Sequence, residues 1–443
     1  MDKILYDGRI LNPALEESFI SKGFIIIRDG KIAQVAPGDP PETLKGEWID
    51  LNRKLVLPGM INAHAHLYSS LALGMPPSKK KLSSFTRILE QIWWILDRAL
   101  DRESVQASFE AGLVEHLRYG VTTIIDHHSS PSFISGSLDL LAAYGQQWGL
   151  NISGAFELSD RNGPEVFQES LEENLRFHRA YINVPSIRPL IGLHASFSLS
   201  DASLKQISDA LTSERNWGIH IHVAEDQTDA TNAIERGYTS LLHRLDTFGL
   251  LNRNSLVAHG VYFSSEDIKK AEERDIMLVH NPTSNANNRV GLATTDLIQS
   301  LKAGLGTDGM QANLLDEARQ GSLIRSSHYS GDEWSSDYLE LLFRNNPEIA
   351  TRLFSNPIGR LEPGYQADLA IYDYQPRTQL TSSNWKGHLL YGLSRPCDVI
   401  TAGEYRLKDY ELVDGKIEPI YHRSQVQAGR LWSRMEQLRK EGQ

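Results

Sequence analysis

Eight short apolar segments recur between Leu57 and Gly309, each followed by a polar or glycine-containing loop, with helical patterns between them. The first ends in "LPGMINAHAHLYSS". The others are "VTTIIDHHS", "NISGAFELSD", "SIRPLIGLHASFS", "GIHIHVAED", "SLVAHGV", "DIMLVHNP" and "AGLGTDG". Helical stretches such as "DRESVQASFEAGLVEHLRYG" and "SSEDIKKAEERD" separate them. Strands alternating with helices dictate a parallel sheet, and eight such units within about 300 residues fit a (β/α)8 barrel of the TIM type better than an open sheet.

The two ends of the chain read differently. "KILYDGRILN", "FIIIRDGKIAQVAPG" and "EWIDLNRKLVLPG" alternate apolar and polar residues around D-G and Gly/Pro breaks, and "ADLAIYDY", "CDVITAGEYRL" and "YELVDGKIEPIY" do the same near the other terminus. These are strand and hairpin signals. They predict one small β-sandwich domain built from both termini. The expected division is 1–57 for the first part of the sandwich, 58–359 for the barrel, and 360–443 for the second part with a C-terminal helix. That helix, "SQVQAGRLWSRMEQLRK", spaces Leu431, Met435 and Leu438 along one face. It is expected to pack on the barrel or on a second subunit. An insertion between Pro76 and Ser104, "SSFTRILEQIWWILDRALDRE", is apolar on one face and carries Trp93 and Trp94. It emerges beside the strand ends, to wall or lid a pocket or to pack on the barrel.

Composition narrows the chemistry. There are 56 Asp and Glu against 45 Lys and Arg, and the one basic run, Lys79 to Lys81, is short, so no nucleic-acid partner is expected. Cys397 is the only cysteine, which leaves no disulfide framework and no thiolate metal site. The start of the chain lacks a hydrophobic signal region, and no apolar stretch approaches membrane-spanning length. A cytoplasmic protein with no membrane partner is the simplest expectation. Any metal must then be held by His and by Asp or Glu.

Strand ends are where a barrel places its chemistry. Read there, the sequence offers His64 and His66, His128, His194, His222 with Glu225, His259, His280 and Asp308, out of 15 histidines in all. Residues i and i+2 of a strand share a face, so His64 and His66 can serve one ion. Three histidines and a carboxylate are a standard ligand set for catalytic zinc or iron, with a position left open for water. His220, two residues before His222, points into the barrel one layer down and reads as a packed or hydrogen-bonded histidine. Of His127 and His128 only one can face inward, and His128 is taken as lining the pocket. His280 is read as orienting the loop after it or a metal-ligating residue. "GLGTDG" matches a dinucleotide-binding pattern, but Asp308 inside that turn would repel a pyrophosphate.

"LPGMINAHAHLY", "HIHVAED", "VAHG" and "GTDG", in that order, resemble the amidohydrolase superfamily in its mononuclear deaminase branch, which also holds the triazine hydrolases. The strings "WWILDRAL", "IDHHSSP", "GLHASFSLSD" and "HNPTSNANNRVG" are similar to the SsnA-type aminohydrolases, and the likeness runs from Ile4 to about Trp432. The resemblance implies one divalent metal, zinc or iron, on His64, His66, His222 and Asp308. It implies Glu225 as proton shuttle, His259 as a hydrogen-bond partner of the nucleophile or oxyanion, and Asp308 as acceptor of the water proton. His194, His128 and Trp93 would meet the substrate. Binuclear relatives bridge two metals with a lysine or carboxylate on the fourth strand. This chain has no lysine between Asp101 and Ser203, and Glu157 is poorly placed for bridging, so one metal is expected.

The implied activity is hydrolysis of a small nitrogen heterocycle, with release of ammonia. The same site is also open to cyclic-amide ring opening, to dechlorination, or to a barrel that binds metal without catalysis. A homodimer is implied by the same resemblance. Two stretches depart from the family pattern, "AHGVYFS" and the asparagine-rich "NPTSNANNRVG", and both bear on the pocket rather than on the ligands.

Overall fold

The computed structural model describes residues 1–78, 80–328, 336–354 and 356–441; Lys79 of the basic run lies outside them. Among the described residues eight parallel strands form the barrel wall. In chain order these are Met60–Ala65, Val121–Asp126, Asn151–Gly154, a fourth in two pieces (Ile187–Pro189 and Ile191–Ala195), Ile219–Val223, Leu256–His259, Met277–His280 and Gly304–Leu305. Their ladders run as two arcs, first to fourth and fourth to eighth. The break falls after Pro189, where the N–H of Leu190 bonds back to Gly154 O. Parallel bridges Leu158–Leu193 and Ala65–Asp308 link the arcs and close the circle.

The wall strands are buried along their whole length because helices cover the outside and side chains fill the inside. At the strand starts Ile61, Leu190, Leu256 and Met277 form one cluster with Ile349, Leu353 and Phe354 of the helix Asn346–Phe354. That helix plugs the barrel floor. Its Asn346 accepts from Leu305 N and donates to Ile61 O and Leu305 O, tying the first strand to the eighth from below. The strand ends, opposite the plug, stay open for chemistry.

A nine-stranded mixed sheet joins both termini. The strand Leu55–Pro58 pairs with Lys3–Leu11 on one side and with Leu369–Tyr372 on the other. Lys3–Leu11 bends at Asp7, whose φ is +52, so its first half pairs with Glu47–Asp50 and its second with Leu55 and Val56. A strand that changes partner at a bend is how one sheet folds over to enclose a sandwich core. Here the core is Leu5, Ile10, Ile25, Ile27, Val56, Ile371 and their neighbours.

Two further elements shape the barrel mouth. The insertion after the first strand is a helix from Phe85 to Ala99, capped by Ser84 and widened to a π-turn over Leu89–Trp93. The C-terminal helix Ile417–Glu441 lies on the helices Arg102–Arg118 and Trp94–Ala99. Its Trp432 indole donates to Leu71 O at 3.0 Å, and Arg434 donates to Ala99 O at 2.7 Å. Among the described residues no helix is long and apolar enough to cross a membrane.

The turn after the fourth strand is held from below by Arg244, which is fully buried. It donates to Ser196 O, Leu199 O and the Asp201 carboxylate at 2.5, 2.7 and 2.7 Å. Replacing it strands two buried carbonyls. Arg244→Met is therefore expected to destabilise the protein by about 2–5 kcal/mol, read as a lowered urea midpoint. A loss below about 1 kcal/mol would show that the clamp is redundant.

Candidate active site

The seam between the first and eighth strands is also where the acid and imidazole groups meet. His64 O accepts from both Thr307 N and Asp308 N at 3.0 Å, and His66 N bonds to Asp308 O. Gly306 passes so close that a Cβ there would sit 2.8 Å from His64 Cβ and 2.5 Å from Asn281 Oδ1. Only glycine fits. Asp308 itself takes a left-handed φ of +55, which turns its carboxylate across the barrel mouth. Asp308 Oδ1 lies 2.8 Å from His66 Nε2 and 3.6 Å from His64 Nε2. With His222 these atoms all fall within 4.8 Å of one another.

The outward faces of the rings decide what this cluster can hold. His66 Nδ1 bonds to His127 O and His222 Nδ1 to His194 O, each at 2.7 Å. A carbonyl only accepts, so each Nδ1 carries hydrogen and each Nε2 points inward, open to a proton or a metal ion. Those two Nε2 atoms are 3.1 Å apart. His64 Nε2 is buried without a hydrogen-bond partner, while its Nδ1 meets His220 Nε2 at 2.8 Å. Lone pairs and a carboxylate converging at this range require a positive charge among them. Burial opposes charge on His66, yet Asp308 outweighs it and raises that ring to about 9, while burial lowers His64 to about 4. Burial also works to raise Asp308, but His66 and His64 hold it well below the carboxylate range. The donor set fits a single divalent ion.

Five more polar residues stand beside it. Glu225 follows the fifth strand after Ala224, whose φ is +52, and His259 ends the sixth with a φ of +80. Glu225 Oε2 is 3.6 Å from His259 Nε2. His259 Nδ1 donates to Asn285 Oδ1 at 2.8 Å, leaving its buried Nε2 free toward the cluster. Burial raises the Glu225 carboxyl above its ordinary value, the Asp308 charge adding to this and His259 and Asn288 opposing it. Ser284 donates to Asp308 Oδ2, and Asn288 Nδ2 donates to Glu225 Oε1 at 3.1 Å.

A cleft of about 790 Å³, mouth included, opens onto these groups. His66, His222, Glu225 and Asp308 form its floor, and His194, Trp93, Trp94, Phe85 and Phe197 stand in its walls. His194 bonds through Nδ1 to Ser198 Oγ at 2.8 Å, and burial lowers it to about 4, so it is neutral at pH 7. His128 is not among the lining residues. Its Nε2 meets Ser130 Oγ at 2.7 Å and its ring packs on Phe109 and Phe156, turned away from the cleft. The expectation that it meets substrate is corrected: His127 is the inward histidine, with Nε2 on Leu193 O and its ring beside His222. His280 reaches Tyr338 rather than the ligand cluster.

Sequence reasoning missed a buried charge group in the same wall. Arg161 Nη2 is 2.6 Å from Asp97 Oδ2, pairs also with Glu157, and its guanidinium lies over the Trp94 ring. At Glu157 this cation outweighs burial and lowers the carboxyl to about 2; at Asp97 burial wins and raises it to about 7. Asp97 could have been suspected, because it stands one helical turn from Trp93 and Trp94. Arg161 sits in the single 3-10 turn Asp160–Asn162, with no spacing signal. Ser284, Asn285 and Asn288 lie in the asparagine-rich stretch, whose departure from pattern was visible without its role.

Comparison with known proteins agrees with this frame. The chain belongs to the amidohydrolase family, which it matches over residues 55–401. It is 28% identical over 422 residues to a 5-methylthioadenosine/S-adenosylhomocysteine deaminase of Halothermothrix orenii, covering 92% of this chain and 94% of that one. It is 25% identical to an 8-oxoguanine deaminase of Pseudomonas aeruginosa, over 89% of this chain and 91% of that one. Among solved structures, a zinc-bound adenosine deaminase from Xanthomonas campestris superposes with a TM-score of 0.81 at 20% identity, covering 98% and 99% of the two chains.

The cluster generates a direct expectation. Purified protein should carry about one divalent metal per chain by elemental analysis, and Asp308→Ala or His222→Ala less than about a tenth of that. Undiminished metal in either variant would place the ion elsewhere.

Proposed function

We propose that this protein is a metal-dependent aminohydrolase that deaminates a small amidine-type nitrogen heterocycle. The observation that carries the reading is the convergence of His64, His66, His222 and Asp308 on one point of the cleft floor, with the raised carboxyl of the half-buried Glu225 beside it. The deaminase names of relatives aligned over nine-tenths or more of the chain support the reaction class. We also propose, on the family resemblance alone, a homodimer working in the cytoplasm.

In this reading His64, His66, His222 and Asp308 hold one zinc or iron ion, for which the zinc of the structural neighbour is support. Such an ion acidifies water, so that a strong oxygen nucleophile is available near neutral pH. The remaining steps belong to the chain. Water adds across a ring C=N bond: its oxygen goes to the carbon bearing the amino group and one proton goes to the ring nitrogen. Asp308 accepts one proton from the water, and Glu225, whose carboxyl is shifted toward its protonated form by desolvation, supplies one to the ring nitrogen. The remaining hydroxyl proton then passes through Glu225 to the exocyclic amine, which leaves as ammonia as the carbonyl forms, and the proton held by Asp308 returns to Glu225 to restore the acid. His259, with its Nδ1–H held by Asn285, turns Nε2 toward the attacking water and steers it. His194 and Trp93 contact the ring, and the aromatic wall excludes bulk water.

The test is ammonia release, followed by a coupled optical assay, from metal-loaded protein against amino-substituted purines, purine nucleosides, pyrimidines, pterins and triazines. Wild type should release ammonia from one ring class, and Glu225→Gln should lose about a hundredfold or more of kcat with its metal retained. No ammonia from any member, with metal bound, would overturn the reading.

A further inference from the structure

One short helix touches three of the site's reacting groups. Pro282–Asn288 follows the seventh strand directly and presents Ser284, Asn285 and Asn288 toward the cleft floor. Ser284 donates to Asp308 Oδ2, Asn285 accepts from His259 Nδ1, and Asn288 donates to Glu225 Oε1. Asn288 and Ser284 are one turn apart, and the second Asn288 amide hydrogen reaches Ser284 Oγ at 3.5 Å. On its other side Asn288 Oδ1 accepts from Asn287 Nδ2 at 3.4 Å, in keeping with Nδ2 facing Glu225.

The helix cannot drift. Its start is held by the buried Glu317 carboxylate, which accepts from Thr283 N at 3.0 Å and from the Thr283 hydroxyl. Its end is closed by Arg289 at a left-handed φ of +59, with Val290 N returning to Asn285 O. Val290 then packs on Phe85 and Leu89 of the inserted helix.

We propose that Asn288 is a positioning residue that decides which oxygen of Glu225 carries the transferred proton. An N–H donor occupies Oε1, which makes it the better acceptor of the pair and favours the carboxyl proton on Oε2. Oε2 is the oxygen that faces His259 and the ligand cluster. Asn288 therefore aims the acid at the reacting edge of the ring and prevents Glu225 from turning its proton away. The proposal rests on the aminohydrolase reading, and it concerns the asparagine-rich stretch that sets this chain apart from the family pattern.

The test compares metal-loaded wild type, Asn288→Ala and Asn288→Asp for ammonia release from every member of the panel, with a crystal structure of each. Asn288→Ala is expected to lower kcat by about 10- to 100-fold with KM within about threefold, because the acid is misaimed while the cleft is intact. Asn288→Asp has the same shape but puts an acceptor against Oε1, and it should be the poorer enzyme of the two. A packing role alone would leave the isosteric Asp variant near wild type, and that result would overturn the proposal. If wild type releases no ammonia, the aminohydrolase reading fails first. The crystal structures then still decide the positioning: a Glu225 carboxylate unmoved in Asn288→Ala refutes it, and one rotated off Oε2–His259 sustains it.

Discussion

The closing of the barrel and the gathering of the cation cluster are one event. The backbone bonds that join the first strand to the eighth run between His64, His66, Thr307 and Asp308, and these residues also supply three of the four converging side chains. The closure needs Gly306, since any Cβ there would strike His64. It also needs Asn346 beneath, which satisfies Leu305 and Ile61 where the ladder is short. A lesion in this seam would not weaken the fold and spare the site, because the two share atoms.

The groups that converge on the cleft stand where strands end, and the backbone there is turned into sparsely populated conformations. Ala224, His259 and Asp308 all have positive φ. Each such turn costs about 1–3 kcal/mol and persists only where its surroundings enforce it. Here hydrogen bonds do so: Asp229 accepts from Ala224 N, Asn285 accepts from the His259 ring, and Ser284 donates to Asp308. Burial then sets the proton affinities. It keeps His64, His194 and His222 neutral and raises Glu225, while in the wall Arg161 balances two carboxyls.

Legibility followed the range of the forces involved. His64, His66, His222 and Asp308 could be read because strand periodicity and strand-end position are local properties. His127 and His128 could not be told apart by the same rule. They lie beyond the last residue of their strand, where alternation stops and the turn decides which ring faces inward. His220 was read correctly as a packed histidine, but that it braces the ring of His64 depends on two strands far apart in the chain. Asp97, Arg161 and Glu157 converge from an inserted helix and the stretch after the third strand, and nothing in their spacing announces it. The loop of asparagines stood out by composition alone, with no clue to its partners.

By itself, the sequence determined the alternation of eight strands and helices, the sheet shared by the two termini, and the residue types available to bind a metal and move a proton. These are set by periodicity, turn chemistry and composition, which act over a few residues. Tertiary structure alone decided the rest: the seam that draws Asp308 up to His64 and His66, the turn that sends His128 outward, the buried ion cluster in the wall, and the asparagine that holds Glu225. Those arrangements depend on which surfaces are shut away from water together. Burial is a property of the closed barrel and not of any segment of the chain.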